Sequence, residues 1–546
     1  MKRLGIIDAA FINMENPTVP QQIGSLGIYD PSTAPGGFVR FKDVLASFER
    51  RLQRMPLFRT RLVEVPFGLD RPYWVLDPAF DVEFHIRHIA LPHPGDWRQL
   101  CIQVARLHAR ALDMSRPLWE VYVIEGVDRI PGLPAGSFAV YVKVHHSMID
   151  GSGGQNFMAA IHDLEPSPPE HASPLPARPP LPDVSATDVH LLGRTLLNAL
   201  PDTVARVRAT VDVAGRLTRM ALKMARNELP PAQMQGPKTR FDQPVGPNRV
   251  FEARLFDIED LKALKNAAGM TLNDVAVAIV SGALRKYLLT HNELPEEALL
   301  GSMPVNMRTR VGETGDNNQV GAMTAKIHTE IADPIARLHA IKKSLDEAKA
   351  YIDTPLVEMS KVMGMLPPLL SKPIASTYVR NQLTRLMPIG VATVITNVMG
   401  PPFPVYCAGA QLVRFYPLGL LNPGLGLFHA IFSCAGKVAI SITGDRDQMP
   451  DPEFYRECLE ASYQELRQAL LGKVAVKAAK PGAVKSRTKV LKTRAVKTKA
   501  VKTLPAKAKL ASKRKSTPKT RAAARSRAEK PAKVTRARRS KAAVRA

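Results

Sequence analysis

A strand-like run that ends on two adjacent histidines constrains this chain more than any other feature. Residues 138–144 are mainly β-branched and aromatic, which is typical of a buried strand. His145 and His146 follow at once, and after Asp150 the chain enters a glycine-rich turn that begins at Gly151. The pattern predicts a strand that ends at the histidines, a position where rigid elements often hold catalytic groups.

Residues 145–151, here called the histidine motif, suit general-base chemistry. A histidine near its ordinary pKa of about 6.5 accepts a proton from an alcohol or an amine at neutral pH. An aspartate one turn away can hold such a base in one orientation, directly or by pairing with an arginine that braces the loop. A glycine after the aspartate allows a sharp turn and a close approach of substrate to the backbone.

Three other readings of the histidine motif remain open on these residues alone. His146 and Asp150 are spaced like two metal ligands on one helical face, but a catalytic zinc usually has three protein ligands and no third is suitably spaced. Ser147 could be a nucleophile, although the chain has no Gly-x-Ser-x-Gly elbow. The motif could also be a set of satisfied polar residues at the end of a strand.

The positive charge of the chain is concentrated in its last residues. The net charge is +27, and residues 471–546 hold 27 Lys and Arg against one acid, Glu529. This tail has no aromatic residue with which to build a core, so we predict that it is disordered in isolation. It would bind nucleic acid or anionic lipid by charge, or act only as a solvated tail.

The remaining residues predict two α/β blocks, 1–165 and 246–470, joined by a connector, 166–245. Residues 73–76 read as a strand and residues 97–112 as a helix in the first block. Residues 391–396 and 437–443 read as strands in the second block, the latter with Val438, Ile440 and Ile442 on one face.

The connector combines a proline-rich stretch, 166–182, with a basic amphipathic helix. Apolar residues recur along this helix at three- and four-residue steps: Val204, Val207, Val211, Ala214, Leu217, Met220 and Met224. Such a helix can lie on an anionic membrane surface, or it can pack on the body with its arginines in solvent.

Cysteine usage and hydropathy favour a cytoplasmic protein. The four cysteines are far apart and include no Cys-x-x-Cys pair, which fits a reducing compartment. The apolar run at the N-terminus ends at Asp8, too early for a signal peptide. We find no uninterrupted apolar span of the roughly 20 residues that a transmembrane helix needs.

An ordered set of motifs resembles the bacterial wax ester synthase/acyl-CoA:diacylglycerol acyltransferase family, which belongs to the CoA-dependent acyltransferase superfamily. Besides the histidine motif, the matching segments are residues 7–11, 56–59, 116–120, 273–275 and 397–402. The resemblance spans about 1–470 and leaves out the basic tail. It implies an α/β fold of two chloramphenicol-acetyltransferase-like subdomains with mixed sheets, whose interface forms a tunnel around the histidine motif.

The resemblance also implies an activity and roles for individual residues. A long-chain acyl group would pass from acyl-CoA to diacylglycerol or to a long-chain alcohol, with His146 as general base and His145 supporting it. Asp150 would hold the loop, and Gly151 would begin its turn. Five residues would support the site: Pro117, Leu118, Trp119, Asn273 and Asp274. The oxyanion donors are either backbone N–H groups after Asp150 or the Asn273 amide.

The resemblance requires no metal and no cofactor, because acyl-CoA is a substrate whose thioester is already activated. A lipid acceptor implies a peripheral position on the inner face of the cell membrane or on lipid inclusions. Two rival functions stay open: a condensation-type acyltransferase that uses a carrier-protein thioester, and a non-catalytic protein that binds lipid granules or the nucleoid.

Overall fold

The computed structural model describes residues 1–53, 55–127, 129–148, 158, 161–167, 187–226, 236–306, 320–349, 368–380 and 390–472. All of them belong to one compact unit, Met1–Lys480. The predicted disorder of the tail concerns residues that lie outside this description, apart from its first two, and stays a prediction.

The first of two large sheets is built mainly from the N-terminal block. Its six strands, in spatial order, are β12 (Tyr406–Cys407), β13 (Ala410–Leu418), β2 (Gln22–Asp30), β7 (Phe138–His145), β6 (Trp119–Glu125) and β5 (Ile86–Ala90). Only β5 and β6 pair in parallel among these neighbours, so the sheet is mixed. Every residue of β7 is buried, which explains why the strand is apolar except for Lys143 and His145.

The second large sheet is built from the C-terminal block and is also mixed. Its strands, in spatial order, are β10 (Val320–Lys326), β9 (Leu300–Asn306), β11 (Thr393–Met399), β14 (Leu427–Cys434), β15 (Lys437–Asp445) and β8 (Arg249–Asp257). Strand β11 runs parallel to both of its neighbours, and the other pairs are antiparallel. A small antiparallel sheet joins β1 (Lys2–Arg3), β4 (Tyr73–Leu76) and β3 (Thr60–Val63).

Ten helices are described in these ranges of the chain. They are α1 (Ile6–Met14), α2 (Phe41–Leu52), α3 (Val82–His85), α4 (Trp97–Ala109), α5 (Asp188–Ala225), α6 (Ile258–Ala268), α7 (Leu272–Thr290), α8 (Pro334–Lys349), α9 (Pro368–Arg380) and α10 (Pro452–Arg467). Local chemistry sets several ends. The Asp96 carboxylate accepts a hydrogen bond from the Gln99 N–H at 2.8 Å and begins α4, and Gly269, in the left-handed region at φ 66°, ends α6.

The first sheet takes strands from both halves of the chain, and the two large sheets share core residues. Strands β12 and β13 come from the C-terminal half of the chain, yet β13 pairs with β2 in the first sheet. One apolar cluster contains Leu26 and Tyr141 of the first sheet together with Phe251 and Ala439 of the second. The predicted division at residue 246 did not include this exchange, because strand pairing over such separations depends on the tertiary fold.

The burial of strand β15 agrees only in part with the single apolar face that its sequence predicted. Val438, Ile440 and Ile442 lie in the large core of the second sheet, as predicted. The alternate residues are buried as well, and Ala439 packs in the cluster that both sheets share. Both faces of β15 are therefore covered, which the sequence pattern of one apolar face did not predict.

The fold class is confirmed: the chain is α/β with two mixed six-stranded sheets. The predicted strands at 73–76, 138–144, 391–396 and 437–443 correspond to β4, β7, β11 and β15, and the predicted helix at 97–112 corresponds to α4. In the described part of the chain, no single helix combines the length and apolar content of a membrane span. The α6–α7 pair passes that test when taken together, with a bend of 99°.

Candidate active site

Strand β7 delivers both histidines to the site through backbone pairing on both sides. On one side the His145 N–H donates to the Leu118 carbonyl at 2.9 Å. On the other side the His146 N–H donates to the Gln21 carbonyl at 2.9 Å. The chain then leaves the sheet in a short 3-10 turn, His146–Met148. The histidines therefore lie where the strand ends, at a position held by both neighbouring chain segments.

The His145 ring is buried and its orientation is set by two partners. The Ser147 N–H donates to His145 Nδ1 at 3.1 Å, and the Ser147 hydroxyl lies 2.7 Å from the same nitrogen. Because Nδ1 accepts, the proton of the ring is on Nε2. That nitrogen lies 3.4 Å from the Glu15 carboxylate. His145 is therefore held in one tautomer rather than presented to a substrate.

Glu15, which the sequence analysis did not identify, connects the two histidines. It follows the last turn of α1, and its carboxylate accepts a hydrogen bond from the Gln21 N–H while facing His145. The Gln21 carbonyl in turn accepts from His146. No local pattern singles out this acid, since its partner lies far along the chain.

The His146 ring stacks on Phe11, with centroids 4.0 Å apart and planes 22° from parallel. Burial is the main cause that lowers the pKa of His146 to about 4, and the neighbouring His145 lowers it further. From the sequence alone, an ordinary pKa near 6.5 was expected for His146. With the lower pKa, His146 is neutral throughout the physiological pH range and can accept a proton. The protonated ring then gives its proton away readily.

The Pro-Leu-Trp segment supports the strand beside β7. Leu118 is fully buried and provides the carbonyl that holds His145. The Trp119 indole donates to the Phe58 carbonyl at 2.7 Å and stacks on His85 with centroids 4.5 Å apart. The Trp119 N–H also donates to the Pro117 carbonyl at 2.9 Å. These contacts make the segment part of the core, and they join it to the 56–59 motif.

The Asn-Asp segment begins α7 with a capping box. The Asp274 N–H donates to the Thr271 hydroxyl at 3.2 Å, and the Thr271 N–H donates to the Asp274 carboxylate at 3.0 Å. Asp274 therefore serves the helix start. Asn273 is partly exposed, and its Oδ1 accepts a hydrogen bond from Asn397 Nδ2 at 3.1 Å. The structure thus joins the Asn-Asp segment to the motif that ends β11.

The motif after β11 forms a turn that requires glycine. The Gly400 N–H donates to the Ser433 carbonyl at 2.7 Å, and the Pro401 carbonyl accepts from the Ala435 N–H at 3.1 Å. A Cβ on Gly400 would lie 2.3 Å from the Phe432 ring, so only glycine fits. The motif therefore sets the course of the backbone at this turn.

Two predicted site residues, Asp150 and Gly151, lie outside the described residues, and their roles stay predictions. Within the described part of the histidine motif, residues 145–148, no set of side chains is arranged as metal ligands. More broadly, no group of three or more potential ligands from His, Cys, Asp and Glu occurs among the described residues.

Comparison with known proteins identifies the family of the chain. The wax ester synthase/diacylglycerol acyltransferase catalytic domain is recognised over residues 4–276, and the C-terminal domain of the same family over residues 317–467. The chain belongs to this family. The predicted resemblance is thereby confirmed, and with it the assignment of the chain to the acyltransferases.

Relatives within the family cover nearly the whole described body. A Mycobacterium tuberculosis protein, Rv1760, that bears a diacylglycerol O-acyltransferase name is 32% identical over 85% of this chain and 91% of its own length. A second such M. tuberculosis protein, tgs2, is 31% identical over 85% of this chain and 98% of its own. The match therefore extends over most of this chain and most of each relative.

Two solved structures match the fold. The wax ester synthase/diacylglycerol acyltransferase from Marinobacter aquaeolei VT8 superposes with a TM-score of 0.60 at 26% identity, covering 85% of this chain and 98% of that one. The trichothecene 15-O-acetyltransferase TRI3 of Fusarium sporotrichioides gives a TM-score of 0.52 at 12% identity, covering 86% and 94%. The latter likeness concerns the fold alone.

Proposed function

We propose that this acyltransferase moves a long-chain acyl group from acyl-CoA to a lipid hydroxyl, with His146 as general base. The acceptor is diacylglycerol, giving triacylglycerol, or a fatty alcohol, giving a wax ester. The observation that carries the proposal is the neutral His146 ring, stacked on Phe11 beside a His145 whose tautomer is held.

The reaction balances without any further group. His146 removes the proton of the acceptor hydroxyl while the oxygen forms a bond to the thioester carbonyl carbon. The carbon–sulfur bond then breaks, and His146 returns the proton to the CoA sulfur. The low pKa of His146 favours this second transfer, because the charged ring is costly in a buried position.

Neighbouring residues divide the supporting tasks. Ser147 and Glu15 hold the ring of His145, which supports His146, while Asp150 and Gly151 shape the turn. The oxyanion that forms on the carbonyl needs donors, and one donor is worth about 10²–10³ in turnover. The backbone N–H groups after Asp150 and the Asn273 amide remain the two candidates. The hydrogen bond from Asn397 turns the Asn273 oxygen toward Asn397, so its N–H donors point away from that residue.

The site requires that water be kept from the thioester, since the same base would otherwise hydrolyse it. An apolar tunnel between the two subdomains would provide this dry environment and hold the acyl chain. We further propose a cytoplasmic enzyme that works at the inner face of the membrane or on lipid inclusions. The basic tail would add attraction to anionic lipid or nucleic acid.

The test measures CoA release and labelled product from palmitoyl-CoA, with dioleoylglycerol and hexadecanol supplied separately and no carrier protein present. His146→Ala should lower turnover by about 10²–10⁴. His339→Ala, on the exposed face of α8, is the matched control and should keep full turnover. Full activity of a folded His146→Ala protein would exclude His146 as the base, and activity only with a carrier-protein thioester would favour the condensation-type reaction.

A further inference from the structure

Helix α5 is bound to the body along one face of its first half. Leu191 is fully buried against Val65 and Tyr73. The Asn198 amide donates to the Tyr73 hydroxyl at 3.1 Å, and Asp202 forms an ion pair with Arg3. These residues are seven and four positions apart, about two turns and one turn, so they define the side of the helix that faces the protein.

The opposite side of α5 is apolar and exposed. Leu200, for example, is 79% exposed, and the exposed large apolar residues of the helix are Val189, Leu196, Leu197, Leu200, Val204, Val207, Val211 and Leu222. At 3.6 residues per turn they fall within an arc of about 100° and extend over about 50 Å. A surface helix of a water-soluble fold turns such an arc toward the core. Here the arc faces outward, contrary to the expectation of a packed apolar face with arginines in solvent.

Basic side chains border this apolar arc. The exposed acids of the helix are Asp188, in its first turn, and Asp212. Five exposed cations lie along one side of the helix: Arg194, Arg208, Arg219, Lys223 and Arg226. A helix with an apolar face bordered by Lys and Arg has the composition of one that lies in a lipid interface. A second copy of the chain would bring these cations against like charges, whereas an anionic lipid surface would attract them.

A second group of exposed apolar residues adjoins α5. The turn Pro66–Gly68 contacts both α5 and α9, and its Phe67 is 80% exposed although its φ is 60°. Leu69 beside it is exposed too, as are Leu369 and Leu370 at the start of α9. A large aromatic residue in the left-handed region is unusual and costly. An exposed Phe67 held in this way is suited to insertion into an apolar phase.

The exposed residues of α5 named above, together with Phe67, Leu69, Leu369 and Leu370, are here called the apolar platform. Helix α9 connects the platform to the candidate active site. The Asn13 amide of α1 donates to the Ser371 hydroxyl of α9 at 2.8 Å. The same helix α1 carries Phe11, which stacks on His146.

We propose that the apolar platform docks on an anionic lipid surface, with α5 lying in the plane of that surface. Docking would bring α9 and α1 close to the lipid and so shorten the path of a lipid acceptor to His146. This last step rests on the proposed function, whereas the docking itself depends only on the exposed apolar arc and its basic border.

The first experiment reports which face of α5 meets lipid in the full-length chain. The four native cysteines are all buried, so a single introduced cysteine can be labelled selectively with an environment-sensitive fluorophore. Val204→Cys places the probe on the platform, and Ala199→Cys places it about 140° around the helix from Val204, at an exposed position outside the apolar arc. Vesicles contain phosphatidylcholine and phosphatidylglycerol, with or without bromine in the acyl chains.

We expect a blue shift and quenching by brominated lipid at position 204, and a much smaller response at position 199. Sedimentation of the protein with vesicles while neither probe responds would mean that the tail alone captures lipid, and it would overturn the proposal. A response at position 204 without vesicles, accompanied by a doubled molecular mass, would assign the platform to a second copy and also overturn it.

The second experiment separates docking from catalysis. The triple variant Leu200→Gln, Val204→Gln, Val207→Gln should bind these vesicles about tenfold more weakly or worse, since each residue loses apolar burial. The double variant Leu164→Gln, Leu289→Gln changes exposed leucines outside the platform and should bind like the original chain. Equal vesicle binding by the triple variant would overturn the proposal.

Turnover in the same variants distinguishes a failure of docking from a failure of the proposed function. The triple variant should keep its turnover on a detergent-dispersed alcohol and lose it on an alcohol supplied in vesicles. Absence of turnover by the original chain on both forms would count against the proposed function, while the probe at position 204 would still decide the docking.

Discussion

The two large sheets hold two histidines in different surroundings: His429 is buried on the central strand β14, and His146 is half-buried just after the end of β7. His429 on β14 has both ring nitrogens 2.7 Å from hydroxyls, those of Thr393 and Tyr455. His146 at the end of β7 is held by stacking on Phe11 and by its backbone. Burial lowers the pKa of both, to about 3 for His429 and about 4 for His146.

The comparison teaches that burial and a lowered pKa do not by themselves mark a catalytic base. His429 lies inside the second sheet, where two hydroxyl groups satisfy both of its ring nitrogens, so its role is structural. His146 lies where a strand leaves the first sheet, at the edge of a turn. Two motif residues in the second half of the chain are structural in the same way as His429, since Asp274 caps a helix and Gly400 fits a turn.

The largest expected effect separates the two histidines directly. His146→Ala should reduce turnover by about 10²–10⁴, whereas His429→Gln should leave the turnover per folded molecule unchanged. Glutamine keeps hydrogen-bonding capacity toward Thr393 and Tyr455. The measurement is the steady-state rate, normalised to the folded fraction from circular dichroism. Comparable losses in both variants would break the distinction between a catalytic and a structural histidine.

The next effect concerns the positioning of the first histidine. Glu15→Gln removes the charge that faces His145 Nε2 and should lower kcat by about 10- to 100-fold with little change in KM, because misplacing a base costs up to about 10²-fold. Glu259→Gln, an exposed acid of α6, is the matched control. A change in KM alone would show that Glu15 affects substrate binding rather than the base.

The pH dependence of stability tests the buried histidines together. Burial lowers the pKa of His108 and His429 to about 3 and that of His146 and His162 to about 4. Below pH 6.5 the unfolded chain binds protons that these rings in the folded chain do not, so the free energy of unfolding should fall as the pH decreases toward 4.

Each such ring contributes about 1.4 kcal/mol per pH unit. Between pH 6.5 and pH 5, the decrease measured by urea unfolding should therefore be about 2 kcal/mol smaller in His429→Gln than in the original chain. An equal decrease in both proteins would mean that His429 takes up its proton in the folded state. The activity profile should show no loss between pH 8 and pH 5 from protonation of His146.

The smallest effect concerns the cap of α7 in the second half. Thr271→Ala removes the hydroxyl that accepts from the Asp274 N–H and should cost about 1 kcal/mol of stability. Turnover per folded molecule should stay the same, as judged by thermal melting alongside the rate assay. A loss of rate well beyond the loss of folded protein would show that this segment takes part in the chemistry.

The sequence predicted a good part of the fold because local patterns report local structure. The strand 73–76 was predicted with the bounds that β4 has, and the helix predicted from residue 97 begins there as α4. Alternation and capping depend on residues a few positions apart, so they are readable without the fold. Helix α5 was predicted as an amphipathic helix for the same reason.

The sequence could not show which faces would be covered or which distant residues would meet. Glu15 meets His145, and Asn273 meets Asn397, only because the order of strands brings these segments together. The outward direction of Val204 on α5 likewise depends on where Leu191 and Asp202 attach the helix.

By itself the sequence determined the strand that carries His145 and His146, the α/β class and the family, because these follow from local periodicity and ordered motifs. The tertiary structure alone decided that His146 stacks on Phe11, that its pKa falls to about 4, and that His145 faces Glu15. Burial and side-chain pairing across the chain are properties of packing, and packing arises only when the sheets and helices have assembled.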